Sequence, residues 1–291
     1  MSNGKLQETD LVLNNDGSVY HLHLLEEHIA DQVIVVGDQG RVEAISNHFD
    51  KVEFKFHNRE FVTHTGMLGK TRISVISTGI GTDNIDIVVN ELDAAINIDH
   101  QTRKPKPQVR KLNIIRIGTS GALQADIPVG SHVISEFGLG LDNLLHYYNY
   151  KFSERESELM QKIAQHLNWS TEISTPYICK SNDDLFNRLK DGMIPGITAT
   201  APGFYGPQGR ALRLPPKEKD INDKLQSFSH KNYRITNFEM ETSALYGLGN
   251  MLGHNCCTCC AIIANRIRQE YSKDYHKDID RLIKTVLERI V

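Results

Sequence analysis

The residues in this chain best able to do chemistry are guanidiniums set beside turns. Arg116 interrupts the apolar run Ile114–Ile117 and is followed by Gly118-Thr119-Ser120-Gly121. A guanidinium inside a core strand is costly unless an anion or a carboxylate meets it. The turn after it offers close backbone N–H groups and two hydroxyls, the parts of an oxyanion or phosphate cradle. The competing reading is a structural pair between Arg116 and a buried Asp or Glu. Gly37-Asp38-x-x-Arg41 and Asn58-Arg59-Glu60-Phe61 supply two further arginines next to loops. Three such arginines suit a dianion like phosphate, because guanidinium and oxyanion pair in a bidentate fashion.

Two other stretches could complete a site. Phe204-x-x-x-Gln208-x-Arg210 combines an aromatic face, an amide and a guanidinium. An amide both donates and accepts, so it can pair with an imide edge such as that of uracil. Glu239-Met240-Glu241 closes a strand, where alternation sends the two carboxylates to opposite sides of the backbone. One can then accept hydrogen bonds from vicinal hydroxyls while the other serves structure. Three patterns carry no such weight. His64-Thr-Gly66-Met-Leu-Gly69-Lys70-Thr71 ends like a P-loop but lacks its first glycine and leads into a strand, not a helix. Gly79-Ile-Gly81 and Gly138-Leu-Gly140 lack the third glycine of a dinucleotide fingerprint. Cys256-Cys257-Thr258-Cys259-Cys260 has no second ligand pair at metal-binding spacing and runs into Ala261-Ile-Ile-Ala264, so it reads as a core strand of small apolar thiols.

The elements that must position these residues alternate between strand and helix. Asp31-Gln-Val-Ile-Val-Val-Gly37-Asp38-Gln39-Gly40-Arg41 reads as an opening buried strand, a glycine-containing turn and then a helix over 40–48. Val52–Thr63 and Thr71–Ser77 read as neighbouring strands joined by a turn at 66–70. Ile85, Val88, Val89, Leu92, Ala95 and Ile96 fall at helical spacing. Gln101–Lys111, basic and holding two prolines, reads as a loop insertion. Further strands are expected over 131–137, 196–201, 233–238 and 256–264. Helices are expected ending before Trp169, over 184–189, after Glu241 and over 279–290, with a polar loop from Arg266 to about Lys277. The pattern gives α/β architecture around one mixed central sheet flanked by helices, with no linker between halves and no repeat.

The chain has 291 residues, of which 40% are hydrophobic and 24% charged, and its formal net charge is −3. That balance gives no electrostatic case for nucleic acid. Residues 1–10 are polar and hold no signal-peptide core, and no apolar run is long enough to span a bilayer, so a cytoplasmic protein is expected.

Taken in order, these pieces resemble the nucleoside phosphorylases of the uridine phosphorylase type. The matching stretches are Val19-Tyr-His21-Leu, Val36-Gly37-Asp38-x-x-Arg41, Asn58-Arg59-Glu60-Phe61, Ser77-Thr-Gly79-Ile80-Gly81, Arg116-Ile-Gly-Thr119-Ser-Gly-Ala122, Phe204-Tyr-x-x-Gln208-x-Arg210, Asn237-Phe-Glu239-Met240-Glu241 and Asn265-Arg266. The resemblance implies a single phosphorylase/hydrolase-like domain over 20–291, preceded by an N-terminal extension, 1–19, and carrying the basic insertion 101–111. It implies phosphate held by Gly37, Arg41, Arg116 and Thr119, with Arg59 reaching over from a neighbouring subunit. His21 of that neighbour, Met240 and Glu241 would line the ribose, and Phe204, Gln208 and Arg210 the uracil, with Arg266 behind them on a flap. Catalysis would rest on Arg116, Thr119, Glu241, Gln208 and Arg210, with inorganic phosphate as co-substrate and no other cofactor or metal. The chain would form at least a dimer, with a hexamer also compatible, and would bind a nucleoside and phosphate but no nucleic acid or membrane. The implied reaction is reversible phosphorolysis of uridine to uracil and α-ribose 1-phosphate. A purine phosphorylase or nucleosidase on the same fold, or a non-catalytic nucleoside-binding protein, are the alternatives. Purine-specific relatives carry an Asp near Asn265, which is absent here. Asn84 stands where some members have a small hydroxyl residue that, with a glutamate matching Glu60, helps form a monovalent-cation site, which argues against a potassium requirement.

Overall fold

Runs of β-branched residues with almost no polar side chain make the middle of the sheet, because such strands are covered on both faces. The computed structural model describes residues 4–291. It begins with β1 (Gln32–Val36), α1 (Gln39–Ser46), β2 (Lys51–Asn58), β3 (Phe61–Leu68), β4 (Thr71–Ser77) and α2 (Thr82–Asn97). A small hairpin, β5 (Ile98–Asp99) and β6 (Lys104–Pro105), precedes the long β7 (Asn113–Ala122) and β8 (His132–Gly140). Then come α3 (Glu154–Leu167), β9 (Tyr177–Lys180), α4 (Asp183–Leu189), β10 (Ile194–Thr200), α5 (Ile221–Ser227), β11 (Ser229–His230) and β12 (Tyr233–Glu239). The chain closes with α6 (Thr242–Leu252), β13 (Asn255–Asn265), β14 (Glu270–Tyr271) and α7 (Tyr275–Ile290).

All strands except β5 and β6 join one mixed sheet of 12 strands, with the path β11-β12-β10-β8-β13-β7-β1-β4-β3-β2. β1 is parallel to both β4 and β7, and β7 is parallel to β13. β12 also pairs antiparallel with the end of β7, Phe238 opposite Gly121, so β7, β13, β8, β10 and β12 close into a ring. Leu92 of α2 and Leu248 of α6 belong to the core on one face of the sheet, and Val42 of α1 and Val286 of α7 to the core on the other. A third cluster sits between α3, α5 and the β8–β10–β12 side of the ring.

The α/β alternation and the single mixed sheet are as expected from the sequence. Several boundaries differ. The stretch 52–63 is two strands, because Arg59 takes a left-handed conformation (φ 55°) and turns the chain at Arg59-Glu60. The next turn is the two residues Gly69-Lys70, not 66–70. The helix expected to reach His48 ends at Ser46. Residues 266–277 contain β14 and the first turn of α7, and 101–111 contains β6. β9, α5 and β11 carried no periodic signal and were not expected.

The N-terminal segment is packed on the body of the protein. Leu11 and Val19 are buried in the same cluster as α2. Arg103, inside the basic insertion, donates to the carbonyls of Leu6, Gln7 and Leu11. Lys106 pairs with Glu26 and Arg110 with Asp31, each at 2.6 Å. The insertion's charge is therefore partly neutralised within the chain, and it pins the N-terminal segment down. Among the described residues no helix is long and apolar enough to cross a membrane.

Candidate active site

The loops at the C-terminal ends of β1, β4, β7, β10, β12 and β13 surround one cavity of about 860 Å³, the place where open α/β sheets hold ligands. Nine of the sequence-derived candidates line it: Gly37, Arg41, Arg116, Thr119, Phe204, Gln208, Arg210, Met240 and Glu241. Local structure explains each placement. Asp38 caps α1 by accepting from Gly40 N–H at 3.0 Å, which turns the chain so that Arg41 points back to the sheet. Arg41 Nη1 donates to the Ile117 carbonyl at 3.1 Å, fixing that guanidinium against β7. Gly37 approaches Gly79 so closely that a Cβ would stand 3.3 Å from its carbonyl oxygen.

Arg116 is 5% exposed, and both carboxylates of the Glu239-Met240-Glu241 stretch meet it. Its Nη2 bonds Glu241 Oε2, and its Nη1 lies 3.4 Å from Glu239 Oε2. The expectation that the two carboxylates diverge is only half correct. Glu239 is the last residue of β12, whereas Glu241 has left the strand as the N-cap residue of α6 (φ −137°, ψ −29°), so strand alternation no longer separates them. Their surroundings nevertheless assign different tasks. Glu239 accepts from Glu241 N–H and Thr242 N–H, both at 2.9 Å, and from Thr200 Oγ1 at 2.7 Å, so it braces the start of α6. Glu241 Oε1 accepts from Gly81 N–H at 2.9 Å, at the start of α2, where the helix dipole favours an anion.

Burial works against the Arg116 charge, but the carboxylates of Glu241 and Glu239 more than offset it, and the guanidinium is held above its ordinary pKa. Arg41 is shifted the other way, first by burial and then by repulsion from Arg116. Burial raises the Glu239 carboxyl despite Arg116. Two crowded guanidiniums, one of them under like-charge strain, make an end of the cavity that a small dianion would relieve.

The opposite end is aromatic and amidic. The Arg210 guanidinium carbon lies 3.7 Å from the centre of the Phe204 ring. Arg210 Nη1 donates to Gln208 Oε1 at 2.6 Å and to the Phe204 carbonyl at 2.5 Å. Gln208 is thereby oriented with its carbonyl toward Arg210, which frees its NH₂ to donate elsewhere. Burial, then the nearby Arg266, presses against the Arg210 charge.

Three candidates lie outside the cavity lining. Arg59 is exposed, its guanidinium 5.8 Å from the centre of the Tyr20 ring, and the His21 carbonyl accepts from Asn58 at 2.8 Å. His21 Nδ1 meets Glu91 at 2.5 Å. The fold therefore brings Arg59 and His21 close to one another on the surface instead of to their own cavity. Arg266 is half-buried, set behind Gly121. Sequence reasoning gave no place in the site to Ile263 and Tyr271, and no binding role to Gly79, Ile80 and Asn84, all of which line the cavity. The signal for Gly79 and Ile80 is present in Ser77-Thr-Gly79-Ile80-Gly81, one of the stretches that carry the resemblance.

A mixed sheet gathering strand-end loops around a cavity lined by guanidiniums, carboxylates and an amide defines an α/β protein with a site for a small polar ligand. Its family follows from comparison with known sequences. The phosphorylase superfamily matches over residues 31–291, and the chain belongs to it. The uridine phosphorylase of Thermococcus kodakarensis is 32% identical over 267 residues, covering 90% of this chain and 83% of that one. The uridine phosphorylase of Haemophilus influenzae is 28% identical over 262 residues, with 87% and 88% covered. Among solved structures, the Trypanosoma brucei nucleoside phosphorylase, described as showing uridine phosphorylase activity, superposes with a TM-score of 0.88 at 28% identity, covering 97% of this chain and 99% of that one.

Proposed function

We propose that the protein is a uridine phosphorylase, a pentosyltransferase that converts uridine and phosphate reversibly into uracil and α-ribose 1-phosphate. The observation that carries this reading is the polarity of this cavity: Arg41 and Arg116 at one end, the Glu241 carboxylate between, and Phe204, Gln208 and Arg210 at the other. In this reading Gly37, Arg41, Arg116 and Thr119 hold phosphate beside C1′, which is catalysis by positioning. Met240 and Glu241 hold the ribose, and the charge of Glu241 favours the oxocarbenium-like transition state. Gln208 and Arg210 take up negative charge on the leaving uracil, with Arg266 behind them. No covalent nucleophile is needed.

The pyrimidine preference has independent support. Asn265, at the position where a purine-directed acid would stand, spends its amide on the Gln124 and Ile127 carbonyls and its oxygen on Ile267 N–H and Arg268 N–H. It has no capacity left to protonate a base. We read the body as one domain with the N-terminal segment fastened to it, and the placement of Arg59 beside the Tyr20-His21 stretch as a contribution to the site of a second copy, making a dimer the minimal active unit. No cofactor beyond phosphate is needed. The Asn84 amide lies beside Gly79 and Glu60, so potassium has no role in this reading. The five free cysteines suit a reducing cytoplasm and a part in pyrimidine salvage.

The test is uridine cleavage with and without inorganic phosphate. Phosphate-dependent release of uracil and ribose 1-phosphate is expected. Equal cleavage without phosphate would replace the assignment with a nucleosidase, and faster turnover of inosine or adenosine than of uridine would replace it with a purine enzyme.

A further inference from the structure

The cysteine-rich strand β13 is the feature of the chain that this reaction does not use. Its thiols are dispersed. Cys256 packs in the core beneath α2 and α6, Cys257 and Cys259 in the core of the α7 face, and Cys260 in a small cluster with Ala122, Ile127, Val133 and Ile262. Cys260 is the one that reaches the proposed phosphate end: its Sγ accepts from Arg116 Nη1 at 3.4 Å.

We propose that Cys260 is a positioning residue for Arg116, setting where the guanidinium waits for phosphate. The inference rests on the reading of this cavity as a phosphorylase site. β13 and β7 run parallel with Cys260 opposite Gly118. A Cβ on residue 118 would stand 2.0 Å from Arg116 Nη1 and 2.9 Å from Cys260 Sγ. The Arg116 side chain therefore lies along its own strand over Gly118, and the thiol bounds that slot from the neighbouring strand. Glu239 and Glu241 draw the guanidinium from the β12–α6 connection, and Cys260 supplies a contact from a different element. The choice of sulfur matters. Burial pushes the thiol pKa up to about 12, so it stays neutral and accepts only weakly. It can hold Nη1 without adding a third negative charge that phosphate would have to displace.

The experiment compares wild type with Cys260→Ala, Cys260→Val and Cys260→Ser. Inorganic phosphate is titrated calorimetrically, and KM is measured separately for phosphate and for uridine. Alanine and valine remove the acceptor, and valine nearly keeps the volume. Both should raise the phosphate Kd and KM roughly three- to tenfold, the worth of one modest hydrogen bond, with uridine KM within about twofold of wild type. Serine restores an acceptor and should bring phosphate binding back to within about twofold. Unchanged phosphate binding in both alanine and valine variants, a serine variant as impaired as valine, or equal rises in both KM values would overturn the proposal. Should wild type itself fail to bind phosphate, the reading of the cavity falls as well, an outcome distinct from wild-type binding with unaffected variants.

Discussion

Removing the 2′-hydroxyl of the substrate tests how Glu241 is held. A buried group built to bond a substrate hydroxyl rejects the analogue lacking it by factors on the order of 10⁴–10⁵ when the loss leaves that group unpaired. Glu241 would not be left unpaired, because Gly81 N–H holds Oε1 at 2.9 Å and Arg116 holds Oε2. The penalty is then confined to one charge-assisted hydrogen bond, about 1.5–3 kcal/mol. At 1.4 kcal/mol per factor of ten, kcat/KM for 2′-deoxyuridine should fall roughly 10- to 150-fold below that for uridine. The assay is uracil release at saturating phosphate with each nucleoside. A companion variant, Glu241→Gln, keeps an oxygen for Gly81 but gives up the charge. It should cut kcat for uridine by about 10²–10³. It should not weaken phosphate binding, because Arg116 loses a competitor for its donors. Discrimination against 2′-deoxyuridine above about 10³ would show that Glu241 depends on the hydroxyl, and weaker phosphate binding by the glutamine variant would show that Arg116 depends on the carboxylate. Either result refutes the reasoning.

Three other outcomes follow from particular contacts. Gly118→Ala forces a Cβ to 2.0 Å from Arg116 Nη1, so kcat/KM should drop about 10²-fold, with the circular dichroism spectrum and uracil binding retained; near-wild-type turnover would mean that the guanidinium need not lie over residue 118. Burial lowers the pKa of His64, which meets Ser46 Oγ at 2.7 Å, and of His132, against the Asp278 carbonyl at 3.0 Å. The unfolded chain then binds more protons than the folded one as pH falls below about 6.5, so stability present above that pH is lost on acidification toward the folded-state values. The melting temperature should decline from pH 7 to 5, and His64→Gln should flatten the decline, whereas an unaltered slope would clear this histidine. Arg103→Ala frees the carbonyls of Leu6, Gln7 and Leu11, so limited proteolysis should cut within residues 7–16 faster than in wild type. Equal cleavage rates would locate the anchoring in Leu11 and Val19.

What could be read from the sequence, and what could not, divides along a physical line. Strands such as Val33–Val36 and Ile114–Ile117 are legible because being buried on both faces demands continuous apolar residues, and α7 because one buried face imposes a helical period. β9 has four residues and α5 seven, too short for either pattern to emerge. The hairpin at Arg59-Glu60 was hidden for a different reason, since its left-handed residue is arginine, where a reader looks for glycine or asparagine. Arg116 posed a choice between a structural ion pair and an anion site, and the fold is compatible with both at once. Glu239 and Glu241 pair with Arg116, yet its neighbour Arg41 has, among the described residues, no carboxylate at ion-pairing distance, and its charge is disfavoured first by burial and then by Arg116. A purely structural pair leaves unexplained why a second, half-buried guanidinium is set against the first. An anion entering between them would relieve both arginines at once, and that arrangement follows from three-dimensional proximity of residues 75 positions apart, which no local pattern in the chain encodes.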